Sequence, residues 1–247
     1  MFNTVVIIQA RMGSNRLPGK VLEDIGGVPM LQRVYDRCCQ IPGIDGVVVA
    51  TSFSEADRQI LHYCESNRII CLRGGASEAD VLGRFEDVAI CVDAKTIIRV
   101  SGDCPCLDPV IAGKVLALFV KEKANYASNR LTQPFEDGLD VEVVSIGFLK
   151  RAAKQAIDRS DREHVTPWIQ REAAEISILQ NDHKAVYKWS VDTQEELDHV
   201  REIYAVLGED FTTQELVTWE ESGAEAAIMR EELKSGPPKG TKKEKKA

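Results

Sequence analysis

The chain has 247 residues, 44% of them apolar, enough to fill one large core or two small ones. Its formal net charge of −8 argues against a general attraction to nucleic acid or to an anionic membrane, so any site for anions has to be local. No apolar run approaches the length of a membrane span, and the opening "MFNTVVIIQAR" lacks the charged start, long apolar centre and cleavage site of a signal peptide, which predicts a cytoplasmic protein.

Taken in order, "TVVIIQ" (4–9), "DGVVVATS" (45–52), "RIICLR" (68–73) and "KTIIRVSGD" (95–103) are short β-rich runs, apolar on both faces, as suits a covered parallel sheet. Helical patterns lie between them over 29–41, 54–67 and 77–94. The first opens on Pro, and the other two open on Ser followed by acids. This alternation predicts an α/β fold with right-handed crossovers, helices on both faces of a mainly parallel sheet, and ligands beyond the carboxyl ends of the strands.

Next come a helix over 108–123, a mainly loop segment "NYASNRLTQPFEDG", an alternating strand "LDVEVVS", and a helix beginning near Ile146. "SDREHVTPWIQRE" (160–172) begins with a Ser cap, and its helix tolerates Pro167 only near an end or a kink. "YKWSVD" reads as a strand ending at Asp192. Thr193 with Glu196 three residues on then forms a capping box for the next helix. The expectation is a single domain over 1–234 with a small insertion, followed by a disordered tail over 235–247 rich in Lys, Pro and Gly.

Seven cysteines make an odd set in a chain too large to need a disulfide framework, so buried free thiols are expected. "GDCPCLD" has no second C-x-x-C and no His pair at zinc spacing. The loop "ARMGSNRLPGK" is more informative. Five residues rather than four separate Gly13 from Gly19, and Val21 follows Lys20, so it is not a Walker loop; nor does it read G-x-G-x-x-G. Its chemistry is still that of a polyphosphate site, with glycines, exposed N–H groups, two guanidinium groups and an ammonium. A solvated loop paired with nearby acids is the alternative.

"IIQARMGSNRLPGKVL" resembles the N-terminal signature of the cytidylyltransferases that activate acidic sugars, a group including CMP-Kdo and CMP-sialic acid synthetases. It is most similar to the spore-coat polysaccharide biosynthesis branch. "RVSGDCPCLDP", "GLDVEVVS", "REHVTPWI" and "WSVDTQEELDHVR" carry the resemblance onward in the same order, to about residue 202. It implies a Rossmann-like nucleotidyltransferase fold, CTP as donor, Mg²⁺, and released pyrophosphate. On matching positions, Arg11, Ser14, Arg16 and Lys20 would hold the triphosphate, beside Ala10 and Gly13 of the same loop, with Arg11 and Lys20 stabilising the reacting phosphates. Asp103 and Asp192 would hold the metal. Both aspartates end apolar β-type runs, where an α/β sheet presents side chains to its crevice, although Asp192 could equally cap the helix that follows. Thr51 follows the second strand at a crevice position. Ser77, Asp80 and Arg84 would meet the cytosine by resemblance, with helix capping as the competing account of Ser77.

The acceptor side falls to the later half. Asp140 and Glu142 share one face of an alternating strand, and Glu163 and His164 lie in "DREHV". Arg130 would complement an anionic acceptor. The opening loop differs from the sialic-acid and Kdo enzymes, with Gln9 in place of Pro, so neither acceptor can be copied. The resulting expectation is a cytidylyltransferase passing CMP to an acidic sugar or a phosphonate-like acceptor for surface polysaccharide synthesis. A homodimer is expected only because the resembling families commonly dimerise. Alternatives are a same-fold nucleotidyltransferase with another donor and a non-catalytic sugar-nucleotide-binding subunit.

Overall fold

The computed structural model describes residues 2–182 and 184–223, so the Lys-rich segment expected to be a tail lies outside the described residues, as does His183. The chain divides into a unit spanning Met1–Ala205 and a smaller one from Val206 onward. Within the smaller unit, residues 213–223 are helical. Thr212 and Glu215 cap that helix reciprocally: the Thr212 amide donates to Glu215 Oε2 at 2.8 Å and the Glu215 amide to Thr212 Oγ1 at 3.3 Å.

The larger unit opens with β1 (Thr4–Gln9), a 3-10 turn (Lys20–Leu22), and a small hairpin of β2 (Asp24–Ile25) and β3 (Val28–Pro29). α1 (Met30–Cys39), β4 (Gly46–Thr51), α2 (Arg58–Ser66), β5 (Cys71–Arg73), α3 (Val81–Cys91) and β6 (Thr96–Ser101) follow as the expected alternation. α4 (Pro109–Lys121) starts where Pro suits a first turn, behind an Asp108 cap whose carboxylate accepts the Val110 amide at 2.8 Å. The chain then runs through β7 (Tyr126–Ser128), β8 (Glu142–Ser145), α5 (Ile146–Gln155), α6 (Arg159–His164), α7 (Pro167–Glu172), β9 (Ile176–Ile178) and α8 (Gln194–Leu207).

Seven strands form one sheet in the order β5-β4-β1-β6-β8-β7-β9. β5, β4, β1 and β6 pair in parallel, whereas β8 is antiparallel to both β6 and β7, with Arg99 of β6 directly opposite Glu142 of β8. Alternate residues of β1 enter two cores. Val6 and Ile8 pack with Leu31, Ile60 and Val115 of α1, α2 and α4, while Val5 and Ile7 pack with Leu82, Leu149 and Ile169 of α3, α5 and α7. Burying both faces explains why β1 is an unbroken apolar run, each such side chain contributing about 1.5–3 kcal/mol.

Several boundaries differ from the sequence expectation. α3 starts at Val81 rather than Ser77, and Asp80 is its cap, accepting the Gly83 amide at 3.1 Å. The 160–172 helix is two helices broken at Val165, which holds φ +72°, and Pro167 takes the first position of the second. Tyr126–Ser128, read as loop, is a strand. "YKWSVD" is not a strand: only Lys188 makes a bridge, to Asp137, and Gly138 (φ +106°) lies so close to Trp189 and Ser190 that an added Cβ would sit 2.6 Å from their backbone.

Candidate active site

The sheet order reverses at β1: the chain first builds outward through β4 and β5, then returns to lay β6 on the other flank. Ligands of open α/β sheets bind at such a switch point, beyond the strand ends. Here those ends are Gln9 and Ser101, which are register partners.

The loop leaving β1 is tied down by Asp57, a fully buried carboxylate that accepts the Met12 amide at 2.7 Å and the Ser52 amide at 3.2 Å. Gly19 closes the loop with φ +77°, a left-handed conformation natural to glycine, and its amide bonds Met12 O at 2.9 Å. The 3-10 turn that follows buries Lys20, which is 7% exposed. Its ammonium donates to Asp103 Oδ2 at 2.7 Å, Asp192 Oδ1 at 2.9 Å and Val191 O at 2.6 Å. Burial alone would lower the Lys20 pKa, but Asp103 and Asp192 outweigh it and the pKa is raised, so the group is a fixed cation.

Asp192 also meets Arg16 at 2.8 Å and Lys188 at 3.1 Å. Burial opposes its charge, but Lys20 and Lys188 more than offset that and bring its pKa to about 2. Thr193, not Asp192, caps α8: Thr193 Oγ1 accepts the Glu196 amide at 3.3 Å and Glu196 Oε2 accepts the Thr193 amide at 3.0 Å. The Asp192 carboxylate is thereby left to the cations.

Around this cluster is a cleft of about 280 Å³, lined by Arg11, Ser14, Arg16, Lys20, Arg84, Arg99 and Asp103. Three buried polar atoms of its lining residues have no partner: Gln9 Oε1, Arg84 Nε and Arg99 Nε. Unsatisfied buried donors and acceptors are costly, and their gathering in one cleft is what a polar ligand would complete. A smaller cleft of about 160 Å³ adjoins it, sharing Arg99, Ser101, Asp103 and Asp192 and adding Arg130, Asp137 and Asp140.

The family model described as Cytidylyltransferase matches residues 5–228, nearly the whole chain. The chain belongs to the cytidylyltransferase family. It is 32% identical over 243 residues to the spore coat polysaccharide biosynthesis protein SpsF of Bacillus subtilis, covering 94% of this chain and 99% of that one. Among solved structures, a cytidylyltransferase from Leptospira borgpetersenii superposes with TM-score 0.84 at 24% identity, over 91% of this chain and 96% of that one. A CMP:2-keto-3-deoxy-manno-octonic acid synthetase complexed with CTP superposes with TM-score 0.64 at 21% identity, over 82% and 98%. Both neighbours share the nucleotidyltransferase fold expected from the sequence. Among the described residues no helix is long and apolar enough to cross a membrane.

Within this cytidylyltransferase the predicted donor residues divide. Ala10, Arg11, Ser14, Arg16, Lys20 and Arg84 line the larger cleft. Gly13 does not: its α-carbon faces the Glu78 carboxylate, which in turn lies 3.7 Å from Arg11. Thr51 is fully buried with an unpartnered Oγ1 and lines neither cleft. Asp80 serves as the α3 cap and pairs with Arg162 at 2.7 Å, and Ser77 accepts the Asp80 amide through its backbone carbonyl. Neither Ser77 nor Asp80 lines a cleft.

The acceptor expectation is redistributed as well. Arg130 and Asp140 meet at 3.3 Å in the smaller cleft, whereas Glu163 and His164 line the larger one. Glu142 lines neither. It is 1% exposed and accepts hydrogen bonds from Arg99, from the Tyr126 hydroxyl and from Thr166 Oγ1, so the geometry makes it a support for Arg99 rather than an open acceptor contact. Burial pushes the Glu142 carboxyl up, but Arg99, Thr166 and Tyr126 overcome this and hold it below the ordinary range. Sequence reasoning did not single out Arg99 or Asp57. A cation inside the two-faced apolar run "TIIRVS" is the available signal for Arg99, while Asp57 sits in a polar stretch with nothing to mark it.

Asp140 carries a stability cost. Burial, then Asp137 and Glu142, raise its pKa to about 6 against the pull of Arg130. The folded chain therefore binds this proton more tightly than the unfolded chain, so stability falls as pH rises from about 4 to about 6 and stays lower above that. Asp140→Asn is expected to gain about 1–2 kcal/mol at pH 7, with no gain below about pH 4. Urea unfolding at the two pH values measures the difference.

Proposed function

We propose that this protein transfers CMP from CTP to an anionic acceptor, an acidic sugar or a phosphonate, with release of pyrophosphate. The observation that carries the reading is the Lys20 ammonium held between Asp103 and Asp192 at the switch point of a cytidylyltransferase fold. The CTP-bound synthetase among the structural neighbours supports the donor, and the spore coat relative supports a role in surface polysaccharide synthesis.

Arg11, Arg16 and Lys20 would neutralise the triphosphate while loop amides approach it. The acceptor oxygen, entering from the smaller cleft beside Arg130 and Asp140, attacks the α-phosphorus. The new O–P bond forms as the bond to the bridging oxygen breaks, and pyrophosphate carries off the electron pair. A sugar acid's anomeric hydroxyl must release its proton to solvent as that bond forms, whereas a phosphonate oxygen is already anionic. Catalysis on this reading is positioning and fixed charge, since the cations are held before ligand arrives.

The donor set also fits a divalent cation. Two carboxylates from separate segments meet within 3 Å of one nitrogen, and Mg²⁺ typically takes one or two carboxylates, with phosphate oxygens and water completing its shell. Asp103 and Asp192 would hold it, and it would neutralise phosphate charge. The test is pyrophosphate release with each of the four NTPs, Mg²⁺ or Mn²⁺, and a panel of 2-keto sugar acids and phosphonates. Release with CTP and an anionic acceptor is expected. Nucleotide binding without release for any acceptor would make the protein a binding subunit, and a preference for another NTP would overturn the donor.

A further inference from the structure

Donor and acceptor must meet where the two clefts join, and the α-phosphorus has to lie there. Four residues border both clefts: Arg99, Ser101, Asp103 and Asp192. The two aspartates are bound to Lys20, so Arg99 is the cation among the four. It rises from the middle of β6, where the β8 register sets Glu142 directly opposite. The fully buried Glu142 takes one terminal nitrogen of the guanidinium and is itself fixed by Tyr126 and Thr166. The Phe85 ring lies 5.9 Å from the guanidinium carbon. One arm of the fork is thus locked, while Nε is buried without a partner.

Resting on the proposed cytidylyl transfer, the geometry points to Arg99 as the catalytic residue that binds the α-phosphoryl oxygens and stabilises the charge they carry in the transition state. A planar guanidinium offers several donors at fixed angles, and its Glu142 brace removes the reorganisation a free side chain would undergo. Arg130, in contrast, borders only the smaller cleft and pairs with Asp140 there.

Arg99→Gln and Arg99→Lys are to be compared with the parent protein using CTP, metal and the acceptor that supports turnover. The expected result is a kcat lower by about 10²–10³-fold in Arg99→Gln. KM for CTP and for acceptor should stay within about threefold, the mark of an interaction made in the transition state. Lysine, which keeps the charge but not the fork, should restore only part of the rate. Because Gln at 99 leaves Glu142 buried with one partner fewer, the double variant Arg99→Gln/Glu142→Gln keeps the pair neutral and serves as the folded comparison. A kcat within about threefold of the parent, or a loss confined to acceptor KM, overturns the assignment.

Binding supplies a second readout that needs no acceptor. The Arg99 Nε–H resonance, identified by its absence in Arg99→Lys, is expected to shift when the full chain is titrated with CTP and metal. An unmoved resonance in a protein whose other signals respond overturns the Arg99 assignment alone. A protein in which no signal responds overturns the CTP reading and Arg99 with it.

Discussion

Lys20→Met is expected to lower pyrophosphate release by about 10³-fold or more. The methionine keeps most of the apolar stem that packs in the 3-10 turn, so what is removed is the one ammonium shared by Asp103, Asp192 and Val191 O. Two consequences follow together. The triphosphate loses its most buried cation, and the two carboxylates lose the charge that holds them in convergence. Asp192 retains Arg16 and Lys188, but Asp103 has no second cation within salt-bridge distance among the described residues. Both carboxylates are about a quarter exposed, so solvent screens the loss and the stability change is expected at about 1–2 kcal/mol, below that of a fully buried pair. The pH dependence has a definite sign. Asp192 has a depressed pKa, so its contribution is present above the ordinary carboxylate range and is lost as pH falls toward about 2. Lys20→Met should shrink that acid-dependent loss, so the stability gap between variant and parent narrows as pH falls from about 5 to about 2, read from urea midpoints. Lys20→Arg should not restore the rate, since a planar fork cannot occupy a position where one tetrahedral nitrogen meets three oxygens. Turnover of Lys20→Met within about tenfold of the parent would remove Lys20 from the reacting phosphates.

Asp103→Asn is expected to cost about as much, about 10³-fold in rate, by a different route. The amide has nearly the shape of the carboxylate, and Lys20 keeps Asp192 and Val191 O, so the fold should hold. What changes is the anionic donor set for a divalent ion. The direct measurement is Mn²⁺ affinity in the presence of CTP, followed by the electron paramagnetic resonance of free Mn²⁺. Weaker binding by about tenfold or more is expected. Undiminished affinity and rate in Asp103→Asn would sink the metal assignment.

Much of this site is legible in the sequence because its parts are local. The cations of the 10–20 loop, the aspartate after "IIRVSG" and the Thr193–Glu196 box each carry their meaning within a few residues. The two-faced apolar strands likewise announce a sheet covered on both sides. What the sequence obscures depends on distant partners. In "SEAD", Ser77 and Asp80 are equally good caps by composition, and the decision lies with Arg162, which pairs with Asp80 from α6. "YKWSVD" alternates like a strand, yet the Trp189 amide bonds Asp137 O at 2.7 Å and the Val191 amide bonds Asp103 O at 2.9 Å, so its hydrogen bonds go to loops. The three-residue strands Tyr126–Ser128 and Ile176–Ile178 are too short to show a period, and they exist through their pairing with each other and, for the first, with β8. Glu142 stands out in the sequence as an acid on an alternating strand and suggests an acceptor contact, but only the opposite strand tells that it is buried and faces Arg99.

That opposite strand has a further consequence. Arg99 and Glu142 face each other because β8 runs against β6, and in such a ladder each residue's neighbour is fixed by the count from the strand ends. The position of the guanidinium is therefore indexed by backbone hydrogen bonds rather than by a loop that could be reshaped. A slip of one residue along β8 would set Val143 opposite Arg99 and turn the Glu142 carboxylate into the core that now holds Val141 and Val143. Insertions between strands can vary the walls of the smaller cleft, but a single residue added within β8 would exchange its floor for its filling.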